Sequence, residues 1–443
     1  MDFDLIIKGG RLVQSSGVTT GDIGIVNGRI GAIGDLGSES AKELLYAQGL
    51  CVMAGLIDTQ VHFREPGLEH KEDLESGTRA AIVGGVTTVF EMPNTQPNTT
   101  DQASLDDKLR RAKGRAWCDY AFFVGASTEN AVLLDGLEMA EGTPGVKIFM
   151  GSSTGSLLVA SDDDLRQVLR HGKRRAPIHA EDEARNLDRR KLISAAPHPR
   201  EHPFLRDAES ARLATERILR LSRETGRPIH ILHVSTRDEL PLIEAAKREG
   251  LNTTAEVTPQ HLFFSAPECY DRLGSYAQMN PPIRSAEHRE GLWKAVAAGL
   301  FDVFGSDHAP HTREEKAKPY PQSPSGMPGV QTMLPVLLRF VHEGKLKLED
   351  IARMACEHPA AIYGIKDRGF LKAGSLANLV LFDPSARFEV NESWLQSKCG
   401  WSPYEGESLF GKPEHVLLHG DLAVREGALV GTPRGCPVEF EWK

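Results

Sequence analysis

What the chain lacks narrows its class before any motif is read. Its six cysteines, at positions 51, 118, 269, 356, 399 and 436, are scattered, and no two of them form a C-x-x-C pair. That excludes a dense disulfide framework and a zinc ribbon, and it fits a reducing compartment. No apolar run approaches the roughly 20 residues of a membrane-spanning helix. The acidic start "MDFDLIIKGG" has too short an apolar run for a signal peptide. Positive charge is scarce as well: 52 Lys and Arg stand against 61 Asp and Glu, a formal net charge of −9. Nucleic acids and anionic membranes select a basic face, so neither partner is expected. No G-x-G-x-x-G follows a strand-like run, which argues against a dinucleotide fold, and there is no internal repeat or low-complexity tract. The expectation left standing is a cytoplasmic enzyme of ordinary composition, 40% hydrophobic and 26% charged.

What is present has two textures. The first fifty residues are short apolar strands punctuated by glycine, "DLIIKGGRLV", "DIGIV" and "RIGAIG", with Asn27-Gly28 as a hairpin turn. The same texture returns at 374–383 and 415–430, where Gly420-Asp421 reads as the turn. A small β-sandwich domain built from both termini, residues 1–54 and 366–443, is therefore expected. Between them, residues 55–365 alternate. Strand-like runs fall at 55–63, 86–92, 119–125, 145–150, 176–180, 228–235, 252–258 and 302–306. Helical patterns separate most of them, clearest at 207–224, where Ala211, Ala214, Ile218 and Leu221 share a face. That alternation predicts the α/β class, as a (β/α)8 TIM-type barrel. Residues 185–205 and 309–330, rich in Pro, Arg and Ser, read as long connections of the lid type.

Catalytic groups of such a barrel project from the C-terminal ends of its strands. The first strand runs into "DTQVHFREPG", where Asp58, Gln60, His62 and Arg64 alternate onto one face. The fourth carries Lys147 in an apolar run, the fifth ends in His179-Ala-Glu181, the sixth in His230-Ile-Leu-His233, and the eighth in Ser306-Asp307-His308-Ala-Pro-His311. One strand histidine is ordinarily a hydrogen-bonded core residue, and one strand lysine can snorkel to water. So many ionisable groups at one rim are not explained as core, because burying them unpaired is expensive. A bound cation supplies a common partner for imidazoles and carboxylates.

"DTQVHFREPG", "EMPNTQP", "GVKIFMGS", "IHAED", "ILHVST", "AEVTPQHLF", "MNPPIR", "GSDHAPHT" and "GMPGVQTMLP" occur in that order between about residues 50 and 365. Together they resemble the signature segments of the dihydroorotases, within the cyclic amidohydrolase group of the metal-dependent amidohydrolase superfamily. The resemblance implies one or two Zn2+ per chain, with His62 on one metal and His179 and His233 on the other. It implies that Lys147 is N-carboxylated by CO2 into a bridging carbamate. Asp307 would be both a metal ligand and the general acid/base. The implied reaction is reversible hydrolysis of the cyclic amide of (S)-dihydroorotate to N-carbamoyl-L-aspartate, in pyrimidine biosynthesis, by a metal-bound hydroxide. Arg64, Asn94, Asn280 and His311 match family positions that hold the substrate, Arg64 being suited to bidentate pairing with its carboxylate. A homo-oligomer, dimer or tetramer, is implied, and aspartate transcarbamoylase is a partner the resemblance allows.

The chain departs from the family at two points. The usual His-x-His of the first strand is Gln60-Val-His62, and the frequent Pro-His-His of the seventh is Pro259-Gln260-His261. The first change removes a metal ligand and opens the question of one metal or two. Two other readings stay open: an allantoinase or hydantoinase using the same metal set, and a catalytically silent homologue acting as a structural partner. Gly406 to Lys412 has the spacing of a phosphate-binding loop, but Pro413 replaces its Ser/Thr, so it is discounted.

Overall fold

The computed structural model describes residues 2–152 and 157–441. In the middle of the chain Leu56–Val61, Val86–Glu91 and Asp119–Phe122 pair in parallel. Val124–Gly125, Val146–Phe149, Ala176–His179, Ile229–Ile231, Thr253–Val257 and Val303–Phe304 pair in parallel in that order. Phe123 joins the two ladders by donating its N–H to the Glu91 carbonyl at 3.0 Å. The ring closes where Val61 bridges His308 and the His62 N–H donates to the His308 carbonyl at 2.7 Å. Counting Asp119–Gly125 as one strand broken at Phe123, eight parallel strands result, each within one of the runs expected. Their residues are buried on both faces, as a parallel sheet covered by helices requires.

The helix expected at 207–224 is Ala208–Thr225. The Asp207 side chain accepts from the Ser210 N–H at its start, and Gly226 at φ 75° ends it in the left-handed conformation. Ala211, Ala214, Ile218 and Leu221 are all buried on its inner face.

Both termini contribute to one sheet. Phe3–Gln14 pairs with Gly17–Val26, Ala41–Tyr46 and Cys51–Ala54. Cys51–Ala54 then pairs with Leu379–Phe382, which carries Pro413–Leu418 and Asp421–Arg425. Among the described residues these strands form one hydrogen-bonded ladder of nine. Phe3–Gln14 is long enough to take different partners at its two ends, which keeps the ladder unbroken. Asn27 and Gly28 form the first turn at φ 50° and 74°. The second turn is His419-Gly420, one residue earlier than expected.

Residues 185–205 also differ from expectation. They fold as the helix Glu183–Arg190, a short turn Pro199–Glu201 and the helix His202–Leu205. Asp182 caps the first by accepting from the Arg185 N–H; its charged sequence hid the helix because it buries only Asn186. Residues 309–330 are mostly irregular apart from Arg313–Lys316. They are pinned by buried Lys316, whose Nζ donates to the carbonyls of Pro324 at 2.9 Å and Gly326 at 3.0 Å. No helix among the described residues is long and apolar enough to cross a membrane.

Candidate active site

His62, Arg64, His179, His233 and Asp307 lie at or just beyond the C-terminal ends of the first, fifth, sixth and eighth strands, and Lys147 lies within the fourth. The first strand stops at Val61, earlier than the alternation suggested, and Arg64 takes φ 67°. His233 and Asp307, just beyond the sixth and eighth strands, also have positive φ, 36° and 44°. Left-handed backbone costs a non-glycine residue on the order of 1–2 kcal/mol, so the surrounding packing holds these side chains where they are.

His62 and Asp307 form one pair. His62 Nδ1 lies 2.8 Å from Asn94 Oδ1, and a carbonyl oxygen only accepts, so Nδ1 carries the proton. The Nε2 lone pair is then left facing Asp307 Oδ1 at 3.3 Å. Burial lowers the imidazole's pKa, which keeps it neutral and able to ligate. Gln60 donates from Nε2 to the same Asp307 oxygen at 3.1 Å, while its own Oε1 has no partner among the described residues. Asp58 ties this corner together, its Oδ1 accepting from the N–H of Gln60 at 3.2 Å and of Ser306 at 3.1 Å.

His179 and His233 form the other. His179 Nδ1 is 3.0 Å from His233 Nε2. His179 Nε2 is 2.9 Å from Glu181 Oε2, so its proton sits there and Nδ1 points its lone pair at His233. Glu181 is held in turn by the Arg206 guanidinium, which keeps its carboxyl well below the usual range against the opposing effect of burial. Lys147 is buried, and its Nζ has no hydrogen-bond partner among the described residues. Desolvation brings its pKa down to about 7. Its charge is one of the influences that lower the pKa of His62, His179 and His233, after burial.

Arg64 is 2% exposed. Its Nε donates to the Pro310 carbonyl at 3.1 Å and an Nη lies 3.3 Å from His311 Nε2; no carboxylate pairs with it among the described residues. Desolvation lowers it to about 10, so it is still a cation at neutral pH. Arg64, Lys71, Asn94, His311 and Pro324 line a cavity of about 500 Å³. Asn280 faces a neighbouring cavity of about 420 Å³ with Tyr320 and Ser325, and its Oδ1 accepts from His202 Nε2 at 3.0 Å.

Some expectations change in detail. Asn94, expected at the substrate, has its Oδ1 on His62. His230 is a core residue, its Nδ1 2.7 Å from Thr254 Oγ1. His261 is bound between Thr258 and the Pro281 carbonyl. Arg206, Lys71 and His202 carried no signal in the sequence, since each reaches the site from a connecting segment. Glu181 did carry one, two residues beyond His179 and just past the end of its strand.

Comparison with known proteins gives the site a context. A family model described as Amidohydrolase family matches residues 51–406. A dihydroorotase of Halobacterium salinarum is 38% identical over 80% of this chain and 82% of its own length. An allantoinase of Rubrobacter xylanophilus is 35% identical over 98% and 97%. The solved structure of an L-hydantoinase (dihydropyrimidinase) from Arthrobacter aurescens aligns with a TM-score of 0.92 at 31% identity, covering 97% of this chain and 98% of that one.

Proposed function

The chain belongs to the amidohydrolase family and is a cyclic amidohydrolase, and from that premise we propose that it is a dihydroorotase, opening dihydroorotate to N-carbamoyl-aspartate and closing it again. The observation that carries this choice is Arg64: a buried guanidinium at a cavity wall, with no carboxylate of the described chain on it. An unpaired buried charge is expensive, and a ring substrate with an exocyclic carboxylate supplies the missing partner. Hydantoin and allantoin carry no such group.

The donor set fits a divalent cation. His179 Nδ1 and His233 Nε2 face each other at 3.0 Å with the His179 tautomer set by Glu181, and Lys147 presents a buried amine with no hydrogen-bond partner among the described residues. An ammonium cannot ligate, but a neutral amine can add CO2 to become an anionic carbamate, and burial makes the neutral form accessible. Lys147 as carbamate, His179 and His233 would hold one zinc; His62 and Asp307, sharing that carbamate, would hold a second, with Gln60 a poor substitute for imidazole. Such a cation lowers the pKa of water from about 15.7 to near 7 and polarises an amide carbonyl.

The chain's own groups supply the rest. Arg64 binds and orients the carboxylate, placing the ring amide over the strand ends. Asp307 Oδ1 takes the proton of the attacking water and returns it to the ring nitrogen as the C–N bond breaks. In closure the same oxygen takes that nitrogen's proton. Asn94 keeps the His62 Nε2 lone pair turned inward throughout.

The test is kcat and KM for dihydroorotate, hydantoin and allantoin, with Arg64→Met and Asp307→Asn alongside. Arg64→Met is expected to raise KM for dihydroorotate at least tenfold and leave hydantoin nearly unchanged. A higher kcat/KM of the unaltered chain for allantoin, the substrate named by the Rubrobacter relative, would sink the dihydroorotase reading. Equal, near-zero rates in the unaltered chain and Asp307→Asn would favour a silent structural homologue.

A further inference from the structure

A second cluster of ligand-type side chains sits at the opposite end of the ring, where three distant segments meet. Asp119 opens the third barrel strand at its N-terminal end. His419 occupies the turn between Pro413–Leu418 and Asp421–Arg425. Cys436 belongs to the final segment, which reaches the barrel through a bridge from Tyr120 to Pro437.

The three donor atoms form a closed triangle. His419 Nε2 is 2.9 Å from Asp119 Oδ1, Cys436 Sγ is 3.3 Å from the same oxygen, and Sγ to Nε2 is 3.7 Å. A tetrahedral zinc has bonds of about 2.0 Å to nitrogen and oxygen and about 2.3 Å to sulfur. These imply ligand–ligand edges of about 3.3 Å for nitrogen–oxygen and about 3.5 Å where sulfur is included. The two sulfur edges lie either side of their value, and the nitrogen–oxygen edge is about 0.4 Å shorter than its own, so a cation has to spread that edge slightly.

Hydrogen-bond accounting is a separate observation in the same direction. A carboxylate offers roughly four acceptor sites. Asp119 faces five donors: Arg368 Nε at 2.7 Å, Asn378 Nδ2 at 3.0 Å, the Cys436 N–H at 3.1 Å, the Cys436 thiol and the His419 ring. Replacing the thiol and imidazole protons by one cation removes the excess. Arg368 and Asn378 remain on Asp119 as the orienting partners that metal-ligating carboxylates commonly have. With its thiol ionised the cluster holds two negative charges against the one positive charge of Arg368, whose Nη2 lies 3.5 Å from Sγ. Cys436 and Pro437 border an open cavity of about 450 Å³, giving an ion a way in and a fourth ligand, water, room to bind. Without a cation the thiol is inert, its pKa pushed up to about 12 by burial and by Asp119.

We propose that Asp119, His419 and Cys436 form a binding site for one zinc-class divalent cation, which staples the C-terminal segment and the terminal sheet to the base of the barrel. A thiolate beside an imidazole selects zinc or cobalt over magnesium and calcium. This site is independent of the strand-end centre and of its substrate.

The strand-end donors are nitrogen and oxygen only, so sulfur ligation reports on the junction alone. Metal-free full-length protein is titrated with Co2+ and followed by absorption. The expected result is a thiolate-to-cobalt charge-transfer band in the unaltered chain that disappears in Cys436→Ser, while the weaker visible bands of strand-end cobalt persist. Zinc content is expected to fall by one per chain in Cys436→Ser and in His419→Gln, with the ring-opening rate unchanged. No charge-transfer band, or a band surviving in Cys436→Ser, would overturn the proposal and leave a purely hydrogen-bonded junction.

Discussion

Gln60 Nε2 stands 3.1 Å from Asp307 Oδ1. Where the family pattern puts an imidazole, this chain puts an amide that spends its N–H on the carboxylate proposed as acid/base. The amide's carbonyl oxygen is buried without a partner. For Gln60 to ligate through that oxygen, the hydrogen bond to Asp307 has to be rearranged. The His62 side of the centre is therefore expected to hold metal less tightly than the His179–His233 side.

The corresponding measurement is metal content after exhaustive chelator treatment and reloading with zinc. The unaltered chain is expected to keep one tightly held strand-end zinc, and Gln60→His to keep two, because a neutral imidazole binds zinc better than an amide oxygen. Counts are made in the Cys436→Ser background so that the junction does not contribute. Two tightly held ions with Gln60 in place would show that the amide is an adequate ligand.

Glu181 acts on the other half of the centre. It accepts the His179 Nε2 proton and so directs the Nδ1 lone pair inward. Glu181→Gln keeps the shape but weakens that bond and leaves Arg206 without its counter-charge. Zinc affinity by competition with a chromophoric chelator should fall about 10–100-fold, the usual effect of losing such a partner. An unchanged affinity would mean that packing alone sets the tautomer.

Lys108 and Glu91 form an ion pair buried on both sides, 0% and 1% exposed, beneath the strand that leads to Asn94. Lys108→Met strands a carboxyl that burial already pushes up to about 7. Denaturant unfolding is expected to show a loss of about 3–5 kcal/mol. Adding Glu91→Gln should recover part of it, since the remaining group is then neutral. A double variant no more stable than the single one would mean that the pair is not the unit that matters.

His202 gives an acid-side signature. Its imidazole is buried, and its pKa is lowered to about 4, first by desolvation and then by Arg206. The unfolded chain binds this proton near the ordinary 6.5 and the folded chain only near 4. Stability linked to His202 is therefore complete above pH 6.5 and lost as pH falls toward 4. At about 1.4 kcal/mol per pH unit, the loss reaches roughly 3 kcal/mol. Comparing unfolding midpoints of the unaltered chain and His202→Gln across that range should show a shallower acid slope in the variant.

Much of the architecture was legible in the residues. Alternating apolar strands and amphipathic helices located all eight barrel strands, because burial on both faces leaves a plain hydrophobic run. The helix Ala208–Thr225 was readable from its apolar stripe, whereas Glu183–Arg190 was not, since it buries almost nothing. The site residues were legible for a related reason: a parallel ring forces every strand's C-terminal end to one rim, so ionisable groups at those ends must meet.

The sequence by itself determined that His62, Arg64, Lys147, His179, His233 and Asp307 sit in or just beyond the strands of the ring. Only the tertiary structure decided what each one touches. Asn94 on His62, Gln60 on Asp307, Arg206 on Glu181, and Asp119 with His419 and Cys436 pair groups from 25 to 317 positions apart. Strand register and left-handed backbone at Arg64, His233 and Asp307 set those distances. Hydrophobic periodicity carries neither, because it reports burial and not direction.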